Sequence, residues 1–438
     1  MKFVVWLFLF LNLKSLMNWL KASTSTATAQ AARMLSGLIV IKMIAVSLGT
    51  EGFGRLGHFM SLISVLSVLA GGGILNGIVK YVAEYKGSPS RLNTFLSCAG
   101  AYSLLFSVLV CLVLSLFERQ ISLLLFDTDQ YGSLIVFLAF IQFAYGVVSF
   151  CNGIINGLTE TVKFAKISIV GTALGLPISC FCILQYGFVG AVVGLAVINA
   201  CLLIPSLIAV MRLDLLQKIK LRFNRLDFKH IARFSSMQMV SLATLPLAEI
   251  FVRSLIAQYF GWQETGLWQS LMRLSAVYIG FFTMFLAAYY MPVLSSITDR
   301  RKSFNHVVKY LLGVGGAFIV IAVVVYVMRY YVFLIIFSKE FVIPANYVLY
   351  QLIGDFFKIL SYVIGFLIVA KAKSTLYILG EFVQTGLYLG LALLAIRSGQ
   401  VENVFVIYAF SNFLYFLVCL TGLTVYGRLS LRIQQKTE

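Results

Sequence analysis

The chain has 438 residues, 61% of them hydrophobic and only 11% charged, with a mean hydropathy of +0.96. Water-soluble domains are about half apolar and a quarter charged, so that class is excluded. Apolar runs of about 20 residues fit helices that cross a hydrocarbon core, not the alternating strands of a barrel. The net charge of +18 would suggest nucleic acid in a soluble protein. Here most basic residues sit in short loops, as the positive-inside rule describes, and no nucleic-acid partner is expected.

Residues 1–16, MKFVVWLFLFLNLKSL, form an N-terminal extension whose apolar run is too short to span and resembles a signal h-region, without a small-residue cleavage site close behind. An interfacial or non-essential segment, with translation starting at Met17, is the expectation. Twelve spans follow, at about 28–48, 58–82, 94–116, 132–155, 166–185 and 188–211, then 234–260, 266–291, 305–328, 345–370, 374–396 and 402–426. The short apolar pieces in 117–131 and 329–344 are expected to lie at the interface. The expected architecture is all-α: a polytopic membrane protein of about twelve transmembrane helices in two pseudo-symmetric six-helix halves, 17–211 and 234–428. A basic cytoplasmic linker (212–233) joins the halves and a cytoplasmic tail (429–438) ends the chain. With an internal N-terminus, 22 basic residues fall in cytoplasmic segments against 5 on the other side, which places both termini in the cytoplasm.

An internal repeat supports the two halves. The first span ends in Lys42, two apolar turns, Gly49 and Glu51-Gly52; the seventh ends in Arg253, two apolar turns, Gly261 and Glu264-Thr265-Gly266. Halves of six spans are related by an axis along the membrane normal, so Lys42 and Arg253 are expected to face one another across a central cavity.

Charges inside spans are costly and usually face a protein interior or water. They are Arg33, Lys42, Lys80, Glu249, Arg253, Arg273, Asp355, Lys358 and Glu381. Glu249 with Arg253, and Asp355 with Lys358, have the spacing of neutralising pairs along one helix. The remaining basic residues leave a positive excess suited to a phosphate or pyrophosphate. Arg33 and Lys42 are nine positions apart and point to opposite faces, Lys80 can snorkel, and Arg273 can be a loop-side anchor. Glu381 pairs with Lys358 or is protonated, which would suit cation coupling. Gly71-Gly72-Gly73 marks close helix contact or a hinge, and Pro177, Pro205 and Pro246 are expected kinks. Seven cysteines in apolar runs and three histidines in or near loops form no metal spacing, and no cofactor or catalytic motif appears, so neither cofactor nor enzyme activity is expected.

The stretches SLGTEGFGRLG, VLAGGGILNGIVKYVAEY and YQLIGDFFKILSYVIGFLIVAKAKSTLYILGEFVQ resemble the O-antigen (Wzx-type) flippases, in particular the branch that moves O-antigen units or the lipid III of enterobacterial common antigen. The resemblance runs from about residue 17 to 428, with residues 1–16 outside the pattern. Asp355/Lys358 and Glu381/Gln384 carry its specificity. It implies the fold of the multidrug/oligosaccharidyl-lipid/polysaccharide exporter superfamily in the bacterial inner membrane. The implied activity is passage of an undecaprenyl-pyrophosphate-linked glycan from the cytoplasmic to the periplasmic leaflet by alternating access. Membrane lipids, a polysaccharide polymerase and a chain-length regulator are the implied partners. By position, Lys42, Arg253, Arg33 and Arg273 match the family's basic sites. The main rival is a multidrug or other cation-coupled antiporter of the same superfamily, which should show an acidic cavity. A peptidoglycan-precursor flippase usually has two more helices, and a polymerase or ligase should carry a large external loop.

Overall fold

The computed structural model describes residues 2–213, 222–371, 373–397 and 399–434. Residues 214–221 of the basic linker, with Lys218 and Lys220, and the last four residues of the tail lie outside the described residues. The described chain is helical, with no strand. In chain order the helices are α1 (Lys2–Leu69), α2 (Leu75–Tyr85), α3 (Pro89–Leu116), α4 (Glu118–Phe126), α5 (Gly132–Gly157), α6 (Thr161–Ala200) and α7 (Leu203–Met211). There follow α8 (Arg225–Phe285), α9 (Met291–Ser296), α10 (Arg300–Val327), α11 (Arg329–Ile336), α12 (Ala345–Ala370), α13 (Ser374–Arg397) and α14 (Glu402–Gln434). Leu312, Val320 and Val327 on α10 are 64–74% exposed. Such a face would be a liability in water and is matched in hydrocarbon.

Nine helical stretches of the described residues are long and apolar enough to cross a membrane, and three of them have 51–58 residues, room for two spans each. Each of the three has a glycine with positive φ between its two spans: Gly49 (φ 62°, ψ −168°), Gly187 (φ 52°, ψ −123°) and Gly261 (φ 86°, ψ 170°). The chain folds back at these points. Ser179 Oγ donates to the Gly194 carbonyl at 2.7 Å across Gly187, and Arg253 bonds Gln269 across Gly261 at 2.9 Å. The nearly equal dihedrals of Gly49 and Gly261 support the repeat read from the sequence. The expected proline kinks are milder: α6 runs through Pro177 and α8 through Pro246, with the non-helical backbone at the glycines instead.

Gly261 offers a clean test, because a Cβ there would touch nothing within 4 Å. Its backbone region is accessible essentially to glycine alone, at a cost of about 1–3 kcal/mol for other residues. Gly261→Ala is therefore expected to lower thermal stability in detergent. Gly280→Ala, in a helix and also in open space, should raise it slightly. Equal effects of the two substitutions would contradict the assignment.

The chain divides into two compact units, one of residues 1–47 and 59–246, the other of 48–58 and 247–438. In the first, the glycine run breaks the second span: Gly71, Gly72 and Gly73 all have φ between 65° and 73°. The break is closely surrounded, since a Cβ on Gly71 would lie 2.6 Å from Ser103 Oγ and one on Gly72 2.5 Å from the Tyr102 ring. Gly153 and Gly157 of α5 give the close approach to Ile78 and Val82 of α2. The end of the basic linker is also packed. Asp227, 1% exposed, takes a two-pronged ion pair from Arg91 at 2.5 and 2.9 Å, while Phe228 meets the Tyr102 ring and His230 stacks on Tyr81.

In the second unit, residues 48–58 pack through Phe53 against Phe337 and Phe341. The short helices α4 and α11 fall where pieces too short to span were expected.

Candidate functional site

The charged residues of the second unit converge on the inner faces of α8, α12 and α13. Arg253, on the first limb of α8, is fully buried at 0% exposure. Its Nε and Nη2 both donate to Gln269 Oε1, at 3.1 and 2.9 Å, and its guanidinium lies 5.5 Å from the Trp268 ring centre. Gly57 makes the space, because a Cβ there would sit 2.6 Å from Arg253 Nε and 2.9 Å from the Gln269 amide carbon. The planar fork of arginine suits this double donation; a lysine ammonium does not replace it. Beside it His58, expected in or near a loop, is fully buried edge-on against Trp262.

Asp355, on α12, is equally buried. Three hydroxyls donate to its carboxylate: Ser275 at 2.5 Å and Tyr408 at 2.6 Å, with Tyr278 as the third. Gln351 Nε2 in turn donates to Ser275 Oγ at 2.8 Å. The preceding Gly354 lets the Tyr408 ring lie against α12, since a Cβ would be 2.5 Å from that ring. A carboxylate accepts without donating, so it can satisfy three donors from α8 and α14 at once. The expected Asp355–Lys358 bridge is replaced by this arrangement. No ion pair within 4 Å joins those two side chains among the described residues, and Lys358 Nζ lies 5.8 Å from the Tyr408 ring centre.

Electrostatic range ties the set together. Glu249 acts on Arg253, Arg273 and Lys358, while Asp355 and Glu381 act on Lys358. Arg273, Lys358, Glu249 and Glu381 are half-buried. Gln384, one turn after Glu381, donates to Asn412 on α14 at 3.4 Å. The cluster thus holds three basic and three acidic side chains. The positive excess expected from the sequence does not lie here; it comes from residues of the first unit.

There, Lys42 is half-buried on α1. Arg33 lines a cleft and donates from Nη2 to Ser168 Oγ at 2.8 Å. Lys80 is exposed with its ammonium 4.7 Å from the Tyr81 ring centre, as a snorkelling residue would be. The structure therefore brings together six of the eight candidate residues and leaves Arg33 and Lys42 in the other unit. Sequence reasoning missed Gly57, Gln269, Ser275, Tyr278 and Tyr408. The one local signal was the small residue just before Asp355. Among the described residues no group of three or more histidines, cysteines or carboxylates could hold a metal.

A family model described as "Polysaccharide biosynthesis protein" matches residues 19–298. The chain is 32% identical over 405 residues to the lipid III flippase of Escherichia coli (strain K12), covering 92% of this chain and 97% of that protein, with the same figures for the lipid III flippase of Shigella flexneri. Among solved structures, the lipid II flippase MurJ in an inward closed conformation aligns with a TM-score of 0.73 at 14% identity, covering 94% of this chain and 91% of the other. An inward-facing multidrug resistance MATE family transporter of the MOP superfamily aligns with a TM-score of 0.69 at 17% identity, covering 90% and 95%. At such identities the structural likeness speaks for the fold alone.

Proposed function

Because this chain belongs to the polysaccharide biosynthesis protein family, we propose that it moves an undecaprenyl-pyrophosphate-linked oligosaccharide from the cytoplasmic to the periplasmic leaflet of the bacterial inner membrane. The observation that carries this reading is the near end-to-end relation to lipid III flippases. No bond is made or broken. Binding energy has to offset the hydration lost by the headgroup while two states exchange around one site.

The basic residues divide the work. Arg33, in the cleft of the first unit, meets the pyrophosphate through charge-assisted hydrogen bonds, while Lys42 lies on the opposite face of the same helix. Arg273 and Lys358 are balanced within the second unit by Glu249, Asp355 and Glu381. Arg253, enclosed by Gln269 and Gly57, sets the shape of its limb of α8. The carboxylates are also the groups through which a cation could couple to transport. Both termini lie in the cytoplasm, and a polysaccharide polymerase with its chain-length regulator receives the product on the far side. The antiporter alternative draws support from the fold alone.

The test is a deletion strain. Mass spectrometry of its lipids is expected to show a lipid-linked repeat unit accumulating, with return to the basal level on complementation. A strain whose lipid-linked intermediates are unchanged would contradict the proposal. In the same strain, Arg33→Ala should leave the intermediate accumulated at least about tenfold above its complemented level, since one lost charge-assisted contact of roughly 1.5–3 kcal/mol corresponds to that factor or more.

A further inference from the structure

The first unit contains a cleft of about 460 Å³ lined by residues of that unit alone. That volume is within the roughly 300–1,000 Å³ typical of ligand pockets. Among its polar groups are Arg33 and Ser36 from α1, Ser149, Asn152 and Asn156 from α5, and Asn199 from the far limb of α6. Ser149, Asn152 and Asn156 are spaced by three and four residues and so share one face of α5. The opposed requirement, close contact with α2, is met by the glycines at 153 and 157.

Two features say what this cleft is built to hold. No carboxylate lines it, so nothing there neutralises a cation's charge, while a single guanidinium stands among neutral amides and hydroxyls. Asn152 Oδ1 is buried and has no hydrogen-bond partner among the described residues. A buried amide oxygen without a partner is costly, and it calls for a donor from a ligand or water. Amides and hydroxyls on an apolar floor match the alternating hydroxyl and C–H faces of a sugar, and Arg33 suits a phosphate at its reducing end.

We propose that this cleft is a carbohydrate-binding subsite that reads the glycan of the cargo, with Asn152 and Asn156 as specificity-determining residues. The inference rests on the flippase reading for the identity of the sugar's carrier. Arg33 lies near the start of one span and Asn156 ends another just before the 158–160 turn, so these two residues lie toward the end of the unit that the loop charges assign to the cytoplasm. That is the side on which cargo is loaded.

The decisive experiment measures binding of the free repeat-unit oligosaccharide to the purified full-length protein in detergent, by saturation-transfer NMR and titration. Asn152→Leu combined with Asn156→Leu removes the hydrogen-bonding groups. Ser149→Trp fills the cleft and gives a second route should the double variant fold poorly. Binding that either variant weakens about tenfold, the factor for one lost hydrogen bond of roughly 1.4 kcal/mol, is the expected result. Absence of binding to the wild type, or binding that a folded variant retains in full, overturns the subsite whatever transport shows. Failure of the flippase reading registers separately, as lipid-linked substrate that does not cross vesicles containing the wild-type protein.

Discussion

Replacing Arg253 with alanine is expected to reduce flipping by about a hundredfold and to destabilise the protein, the larger effect of any single basic residue in the chain. The side chain is fully buried, and two charge-assisted hydrogen bonds to one Gln269 oxygen are lost together. Bonds to charged groups cost about 1.5–3 kcal/mol on deletion, and the vacated volume beside Gly57 adds to this. A loss of about 3 kcal/mol expressed in the rate-limiting step corresponds to roughly two powers of ten. Arg253→Lys separates charge from shape: it keeps the cation but not the fork, so an intermediate loss of about tenfold is expected. Thermal unfolding in detergent and flipping in vesicles check both. Full activity of the lysine variant would assign Arg253 to charge alone, and full stability of the alanine variant would contradict its structural placement.

Asp355→Asn should be nearly as harmful as Asp355→Ala. The carboxylate accepts from Ser275, Tyr278 and Tyr408. An asparagine amide turns one accepting atom into a donor, which then faces a hydroxyl already donating. Each lost bond to the charged group is worth about 1.5–3 kcal/mol, and a half-satisfied buried network is worse than either extreme. The expected result is a clear fall in unfolding temperature for both variants. Paired Tyr278→Phe and Tyr408→Phe changes should each cost less than the loss of Asp355 and combine non-additively, because they bond the two oxygens of one carboxylate. An Asp355→Asn protein of wild-type stability that had lost transport would instead mark the carboxylate as a coupling group only.

The fold was legible because apolar runs of the right length repeat along the chain, and the hairpin glycines were legible in pairs. Gly49 and Gly261 stand at matching places in a basic–apolar–acidic pattern, and both take the same positive-φ backbone. Gly187 lies in no such pattern and carried no signal. The charged site was only half readable. A sequence shows the neighbours a residue has along its own helix, so Glu249 with Arg253 and Asp355 with Lys358 were the visible pairs. The partners that hold Arg253 and Asp355 come from the other limb of α8, from α14 and from residue 57. Most are neutral, so nothing in charge patterning could name them. The same limit hid the cleft of the first unit: the Ser149, Asn152 and Asn156 spacing is plain in the sequence, but polar residues there acquire meaning only when Arg33 and Asn199 stand opposite.

The central claim is that the protein itself moves a lipid-linked glycan across a bilayer. Its most direct test reconstitutes the purified chain into vesicles carrying a labelled undecaprenyl-pyrophosphate oligosaccharide, and follows the sugar's accessibility to an enzyme added outside. The account predicts that lipid initially shielded on the inner leaflet becomes accessible far faster than in protein-free vesicles, and that Arg253→Ala slows this about a hundredfold. Glycan that stays shielded at the protein-free rate, with the wild-type protein folded and inserted, would contradict it.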